Sequence, residues 1–64
     1  MAASNPVRAL AYLRDQYVPR STFDVASYLE VSMPLARMIL RRLAKRGQVE
    51  NLTERPHMGF WVAL

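Results

Sequence analysis

Apolar residues recur at helical spacing in three successive segments of the chain. The first segment predicts a helix over about residues 5–17, with Asn5 as the N-cap and Pro6 at the first helical position. Tyr17 is the last residue of its apolar face. The helix is expected to end before Val18-Pro19, because a proline disfavours the helical conformation in the residue that precedes it.

The second segment predicts a short helix over about residues 22–30. Ser21 and Asp24 form an S-x-x-D pattern, which resembles a capping box with the shorter Asp in place of Glu. Residues 19–21, between the first two helices, are expected to be either a linker or a brief strand.

The third segment predicts a helix over about residues 33–46, separated from the second by a tight turn. Ser32 is its expected N-cap, and Pro34 is tolerated in the first turn. The helix should stop at Gly47, the residue type best suited to a left-handed C-terminal cap. At about 100° per residue, its apolar positions gather on one side. Those positions are Ala36, Ile39, Leu40 and Leu43.

After the third helix the apolar period changes to that of strands. Residues 48–52 alternate between polar and apolar, residues 53–59 carry turn chemistry, and residues 60–64 are aromatic and β-branched. This predicts a C-terminal β-hairpin in which Trp61 belongs to the core, with stacking on a nucleotide sugar as the alternative. The expected fold is α+β, a single three-helix winged helix-turn-helix domain over residues 1–64 with a β-hairpin wing.

Composition supports a small folded domain without covalent or metal reinforcement. The chain has 64 residues, of which 52% are hydrophobic, and it contains no cysteine. No apolar run approaches the roughly 18 residues that span a bilayer, and the first residues lack the long apolar segment of a signal peptide. A cytoplasmic protein, associated with a bacterial nucleoid or present in a phage-infected cell, is expected.

Positive charge is concentrated in the third predicted helix. The net charge is +4, and five of the nine basic residues lie between Arg37 and Arg46, whereas no acidic residue lies between Val31 and Val49. Arg37, Arg41 and Lys45 follow each other at intervals of four, so their charges stack along the helix. Such clustering is typical of proteins that bind polyanions, although a solvated helix face is an equally good reading of a basic patch in an arbitrary domain.

A helix of this kind, preceded by a bracing helix, suggests binding of double-stranded DNA in the major groove. Arg37 and Arg41 are expected to contact base edges or phosphates in the groove, and the cations nearer the helix end are expected to contact phosphates. Arg55 in the predicted wing turn would enter a minor groove or touch a phosphate, or else be a solvated loop residue. The candidate DNA-binding residues are Ser32, Pro34, Arg37, Met38, Arg41, Arg42, Lys45, Arg46 and Arg55. Because so small a module makes few contacts, a second copy or a DNA-bound partner is expected to assist it.

Two other kinds of partner fit a winged helix. A protein-docking module is one, but docking surfaces are usually poor in dense like charge and rich in aromatic residues. Structured RNA is the other, but a rigid helix suits the major groove of DNA better than the deep, narrow groove of A-form RNA.

Residues that would support catalysis are scarce. His57 is the sole histidine, the glycines are limited to Gly47 and Gly59, and the five acidic residues are scattered. These features offer no phosphate-binding loop, paired-carboxylate site or zinc ligand set. The expectation is a non-enzyme that uses no cofactor, metal or small-molecule substrate.

One known family shares the pattern of the second half of the chain. The matching positions lie in the last two helices, the turn between them, the wing and the final strand: Val25, Ala26, Leu29, Val31, Ser32, Ala36, Arg37, Leu40, Leu43, Lys45, Gly47, Val49, Arg55 and Trp61. Over about residues 22–64 the chain resembles the FaeA-like family of small fimbrial-operon phase-variation regulators, which tends to carry a larger polar or aromatic residue in place of Pro34. The resemblance implies a bacterial transcription regulator that binds upstream DNA beside a larger global regulator, with Arg37 in the recognition helix. A phage or prophage regulator of the same fold would show the same pattern.

Overall fold

Helices and short strands alternate along the chain in the computed structural model, which describes residues 3–53 and 59–64. The elements follow in the order α1 (Asn5–Arg14), β1 (Arg20–Ser21), α2 (Thr22–Leu29), α3 (Met33–Lys45), β2 (Val49–Asn51) and β3 (Phe60–Ala63). This arrangement confirms the α+β class, with three helices and a three-stranded antiparallel sheet within the described ranges. It is compatible with the predicted winged helix.

The N-cap of α1 lies one residue before the predicted N-cap, and the helix ends three residues sooner than predicted. Ser4, not Asn5, is the N-cap, and its Oγ accepts a hydrogen bond from the Val7 N–H at 3.5 Å. The helix ends at Arg14, and Tyr17 lies fully exposed beyond it, so the predicted place of Tyr17 on the apolar face is wrong.

A side-chain bridge explains the early end of α1. The Gln16 side chain donates from Nε2 to the Tyr12 carbonyl oxygen at 3.1 Å, which satisfies one of the carbonyls left without a partner at the helix end. The Gln16 Oε1 in turn accepts from Arg20 Nε at 2.9 Å. This link spans the turn and holds the start of β1 close to the end of α1.

Residues within or next to α2 in the chain form both of its caps. Ser21 Oγ accepts from the Asp24 N–H at 3.0 Å, and Asp24 Oδ2 accepts from the Ser21 N–H at 3.2 Å, which confirms the predicted capping box. The helix ends at Leu29, where Glu30 adopts the left-handed conformation with φ of 58°. The Val31 N–H then bonds to the Ala26 carbonyl at 3.0 Å, and the chain turns directly into the next helix.

Both predicted ends of α3 are close to those observed. Ser32 Oγ accepts from the Leu35 N–H at 3.3 Å, as expected of its N-cap. The helix ends at Lys45, one residue short of the predicted end, and Gly47 has the positive φ of 73° that the cap requires. The Gln48 N–H closes the cap on the Leu43 carbonyl at 3.0 Å.

The predicted hairpin is present and gains a third strand. The sheet order is β1-β3-β2, with both pairings antiparallel, so β3 is the central strand. Trp61 is paired with Arg20 on one side and with Asn51 on the other. Residues 19–21 therefore include a brief strand, one of the two expected alternatives. Residues 54–58, which belong to the predicted turn segment, lie outside the described residues.

The core lies between the helices and the inner side of the sheet. It contains the four predicted apolar residues of α3 together with buried residues of α1, α2, β2 and β3: Ala9, Leu10, Leu13, Val25, Ala26, Leu29, Ala36, Ile39, Leu40, Leu43, Val49 and Trp61. Trp61 is only 4% exposed, which confirms its predicted place in the core. The inner side of α3 is thus anchored from several directions.

A buried hydrogen bond joins the start of α2 to the central strand. Trp61 Nε1 donates to Thr22 Oγ1 at 2.9 Å, and the Thr22 side chain is 1% exposed. Thr22→Val keeps the shape of the side chain but leaves the indole N–H without its acceptor, so we expect the free energy of unfolding to fall by about 1–3 kcal/mol. Urea unfolding followed by the fluorescence of Trp61, the sole tryptophan, measures the loss.

Thr22→Ser is the matched control, because serine retains the hydroxyl and loses one methyl group. It is expected to lose less stability than Thr22→Val. An unchanged free energy of unfolding in Thr22→Val would show that the hydrogen bond makes no net contribution to stability.

Candidate nucleic-acid interface

The two sides of α3 differ sharply in burial. Its apolar side faces the core, as predicted, and the opposite side faces solvent along the whole helix. The exposed candidates on and beside this helix are Ser32, Pro34, Met38, Arg41, Arg42, Lys45 and Arg46, whereas Arg37 is half-buried. The side of α3 formed by Pro34, Met38, Arg41, Arg42 and Lys45, with Arg37 at its edge, is called here the outer face.

The charges of the outer face have no counter-charge on their own helix. Among the described residues, the arginine side chains that donate hydrogen bonds within the chain are those of Arg8, to Asn5 Oδ1 at 3.4 Å, and Arg20, to Gln16 Oε1 at 2.9 Å. Within the same residues, the cations of α3 make no such bond. Within the described part of the chain these charges therefore lack a hydrogen-bonded partner, and they repel one another along the helix.

Local structure brings the cations into line. A helix places residues four apart on nearly the same side, so Arg37, Arg41 and Lys45 project from successive turns. Thirteen residues give α3 a length of about 20 Å. The core contacts hold this row at a set distance and orientation from the rest of the domain.

Ser32 has a structural role that leaves part of its hydrogen-bonding capacity unused. The Oγ accepts the Leu35 N–H as the cap of α3, which uses a lone pair. The hydroxyl proton is not needed for the cap, and the side chain is exposed, so it can donate to an acceptor outside the chain.

The middle of the outer face is apolar in the first half of the helix. At about 100° per residue, Pro34 and Met38 fall between the line of Arg37 and Arg41 on one side and Arg42 on the other. Met38 is 47% exposed. Arg37 lies at the margin of this face and is half-buried.

An aromatic cluster that the sequence analysis missed lies on the other two helices. The rings of Tyr12 and Tyr28 stack with centroids 4.3 Å apart, and the Arg8 guanidinium lies 5.6 Å from the Tyr28 centroid. Arg8 and Tyr12 are four residues apart on α1, which is the signal that could have indicated the cluster. Since Arg8 is held over a ring and bonded to Asn5, it differs from the cations of α3.

The candidate Arg55 and the sole histidine, His57, lie outside the described residues. Within residues 3–53 and 59–64, no group of three or more His, Cys, Asp or Glu side chains could hold a metal ion. No helix in those ranges has both the length and the apolar character required to cross a membrane.

Comparison of the chain with protein-family models, with curated proteins and with solved structures gives no match. The resemblance to FaeA-like regulators therefore stays a prediction from the sequence pattern.

Proposed function

We propose that this protein is a small winged-helix transcription regulator that binds duplex DNA by inserting α3 into the major groove. The observation that supports the proposal is the outer face of α3. It carries a row of cations, exposed except for the half-buried Arg37, on a helix that has no acidic residue and is anchored on its opposite side by the core. A phosphate lattice would supply the missing counter-charge, and each neutralised phosphate would release condensed counterions.

The dimensions and residue types suit this binding mode. The major groove of B-DNA is about 12 Å wide and admits an α-helix. Arg37 and Arg41 can each grip a phosphate or present a bidentate fork to guanine O6 and N7. Arg42, Lys45 and Arg46, nearer the end of the helix, would contact phosphates, and Ser32 would add a hydroxyl donor at the start.

The hairpin of β2 and β3 is proposed to act as the wing. Arg55, which lies outside the described residues, would reach a phosphate or the adjacent minor groove. A single module of this size buries only about 600–1,000 Å² on DNA. We therefore propose that it acts beside a larger DNA-bound regulator or a second copy of itself, in the cytoplasm of a bacterium or of a phage-infected cell.

Docking of another protein is a weaker explanation of the same face. Covering the cations of α3 with an apolar surface would remove them from water without a counter-charge, which is strongly unfavourable. An A-form RNA duplex is a poorer match than B-DNA because side chains cannot read its deep, narrow major groove.

Binding to a random-sequence DNA duplex across a salt series tests the proposal. For about four phosphate contacts, the logarithm of the association constant should fall with the logarithm of salt concentration at a slope of about −3.6. Arg41→Gln removes one of these contacts, so we expect its slope to be shallower by about 0.9 and its affinity to be about eightfold lower at 0.1 M salt. Fluorescence anisotropy of a labelled duplex measures both quantities.

Arg14→Gln is the matched control, because Arg14 is also an exposed helical arginine but belongs to α1. Its slope should equal that of the unaltered protein. Undetectable binding at low salt would contradict the proposal and favour protein docking. Equal binding of a double-stranded RNA would contradict the major-groove mode.

A further inference from the structure

The outer face of α3 is not uniformly cationic, and its apolar part needs an explanation. Pro34 and Met38 are exposed and four residues apart, so their side chains adjoin on the same side of the helix. Leu35, at 36% exposed, lies at the margin of the same face. Single exposed apolar residues are common on proteins, but here they are adjacent and surrounded by charge.

The surroundings of Met38 restrict what can cover it. Met38 lines a shallow open depression on α3 together with Pro34 and the side chains of Arg37, Arg41, Arg42 and Lys45. An apolar protein surface placed there would bury several of these cations. The partner must therefore combine closely spaced negative charge with a small apolar group set between the charges.

In duplex DNA the thymine methyl group meets this requirement. It projects into the major groove between the two phosphate backbones and is the apolar feature that this groove offers. Helix-turn-helix proteins direct the N-terminal half of the recognition helix at the base edges, and Pro34 and Met38 lie in that half of α3. The flexible, polarizable methionine side chain can adapt to a methyl group at either of two neighbouring base pairs.

Building on the proposed function, we infer that Pro34 and Met38 form a thymine-methyl contact that gives this protein a preference for thymine-containing sites. The cations around them hold the helix in the groove, and Met38 determines the base pair that lies beneath it. Replacing thymine by deoxyuracil removes the methyl group and leaves every hydrogen-bonding group and phosphate in place, so it isolates this contact.

The test selects duplexes from a random-sequence pool with the full chain and then replaces the thymines of an enriched duplex by deoxyuracil, one at a time. For the unaltered protein, the Kd should rise about three- to fivefold at one or two positions, the ratio expected for one buried methyl group. Because Pro34 keeps its part of the contact, Met38→Ala should discriminate less than the unaltered protein, with an unchanged salt slope, and Met38→Leu should restore discrimination. Val7→Ala, an exposed apolar position on α1, is the matched control and should discriminate like the unaltered protein.

Each other outcome has a separate meaning. Equal affinity for thymine and deoxyuracil at every position would overturn the methyl contact while leaving DNA binding intact. Salt-dependent binding without any enriched sequence would also overturn it, because the outer face would then contact phosphates alone. Undetectable binding of the unselected pool at low salt would overturn the proposed function itself, and the methyl contact with it.

Discussion

Leu40→Ala is expected to lower the free energy of unfolding by about 2–5 kcal/mol. Leu40 is 0% exposed and lies in the middle of α3, where it contributes one of the largest fully buried side chains of the core. A 64-residue domain has a total stability of only about 3–10 kcal/mol. The loss is therefore a large fraction of the total stability, and urea unfolding followed by circular dichroism measures it.

Leu35→Ala is the matched control on the same helix. Leu35 is 36% exposed, so the same truncation removes less buried surface and should cost about 1–2 kcal/mol, less than at Leu40. If both variants lost the same stability, α3 would have a different rotation about its axis from the one described. The outer face would then have to be redefined.

Local signals explain why α2 and α3 could be predicted closely. The capping box of Ser21 and Asp24, the cap at Ser32 and the glycine at position 47 each act within a few residues. A cap is a hydrogen bond between neighbours in the chain, so its residue types are visible in the sequence. The predicted ends of these two helices were therefore within one residue of those observed.

The end of α1 depends on contacts that the sequence does not display. Arg20 pairs with Trp61 in the sheet, and the bridge through Gln16 ties that strand back to Tyr12. These contacts involve partners up to about forty residues apart, and no local pattern identifies them. The helical period alone extended α1 to Tyr17, which the early turn instead leaves exposed.

The candidate interface was predictable in outline but not in detail. Helical periodicity separates the apolar and cationic sides of α3, and that separation is confirmed. The periodicity does not give the extent to which neighbouring elements cover the margins of a helix. Arg37 is half-buried, although its position on the helical period is next to that of the exposed Arg41.

Substitution of both Arg37 and Arg41 by glutamine is expected to change stability and DNA binding in opposite directions. The double variant removes two like-charge pairs, Arg37 with Arg41 and Arg41 with Lys45, each unfavourable by a few tenths of a kcal/mol. Stability should therefore be unchanged or rise by up to about 1 kcal/mol. Loss of two phosphate contacts should reduce affinity for duplex DNA about 60-fold at 0.1 M salt and make the salt slope shallower by about 1.8.

The corresponding double lysine variant separates charge from geometry. Lysine keeps the positive charge but lacks the planar fork, so the salt slope should match that of the unaltered protein. Any loss of preference between sequences then measures the base contacts made by the arginines. If the glutamine variant instead lost stability in proportion to binding, the two arginines would be structural residues. Their contribution to stability would then account for the row of cations, and the repulsion along α3 would no longer support binding of an external polyanion.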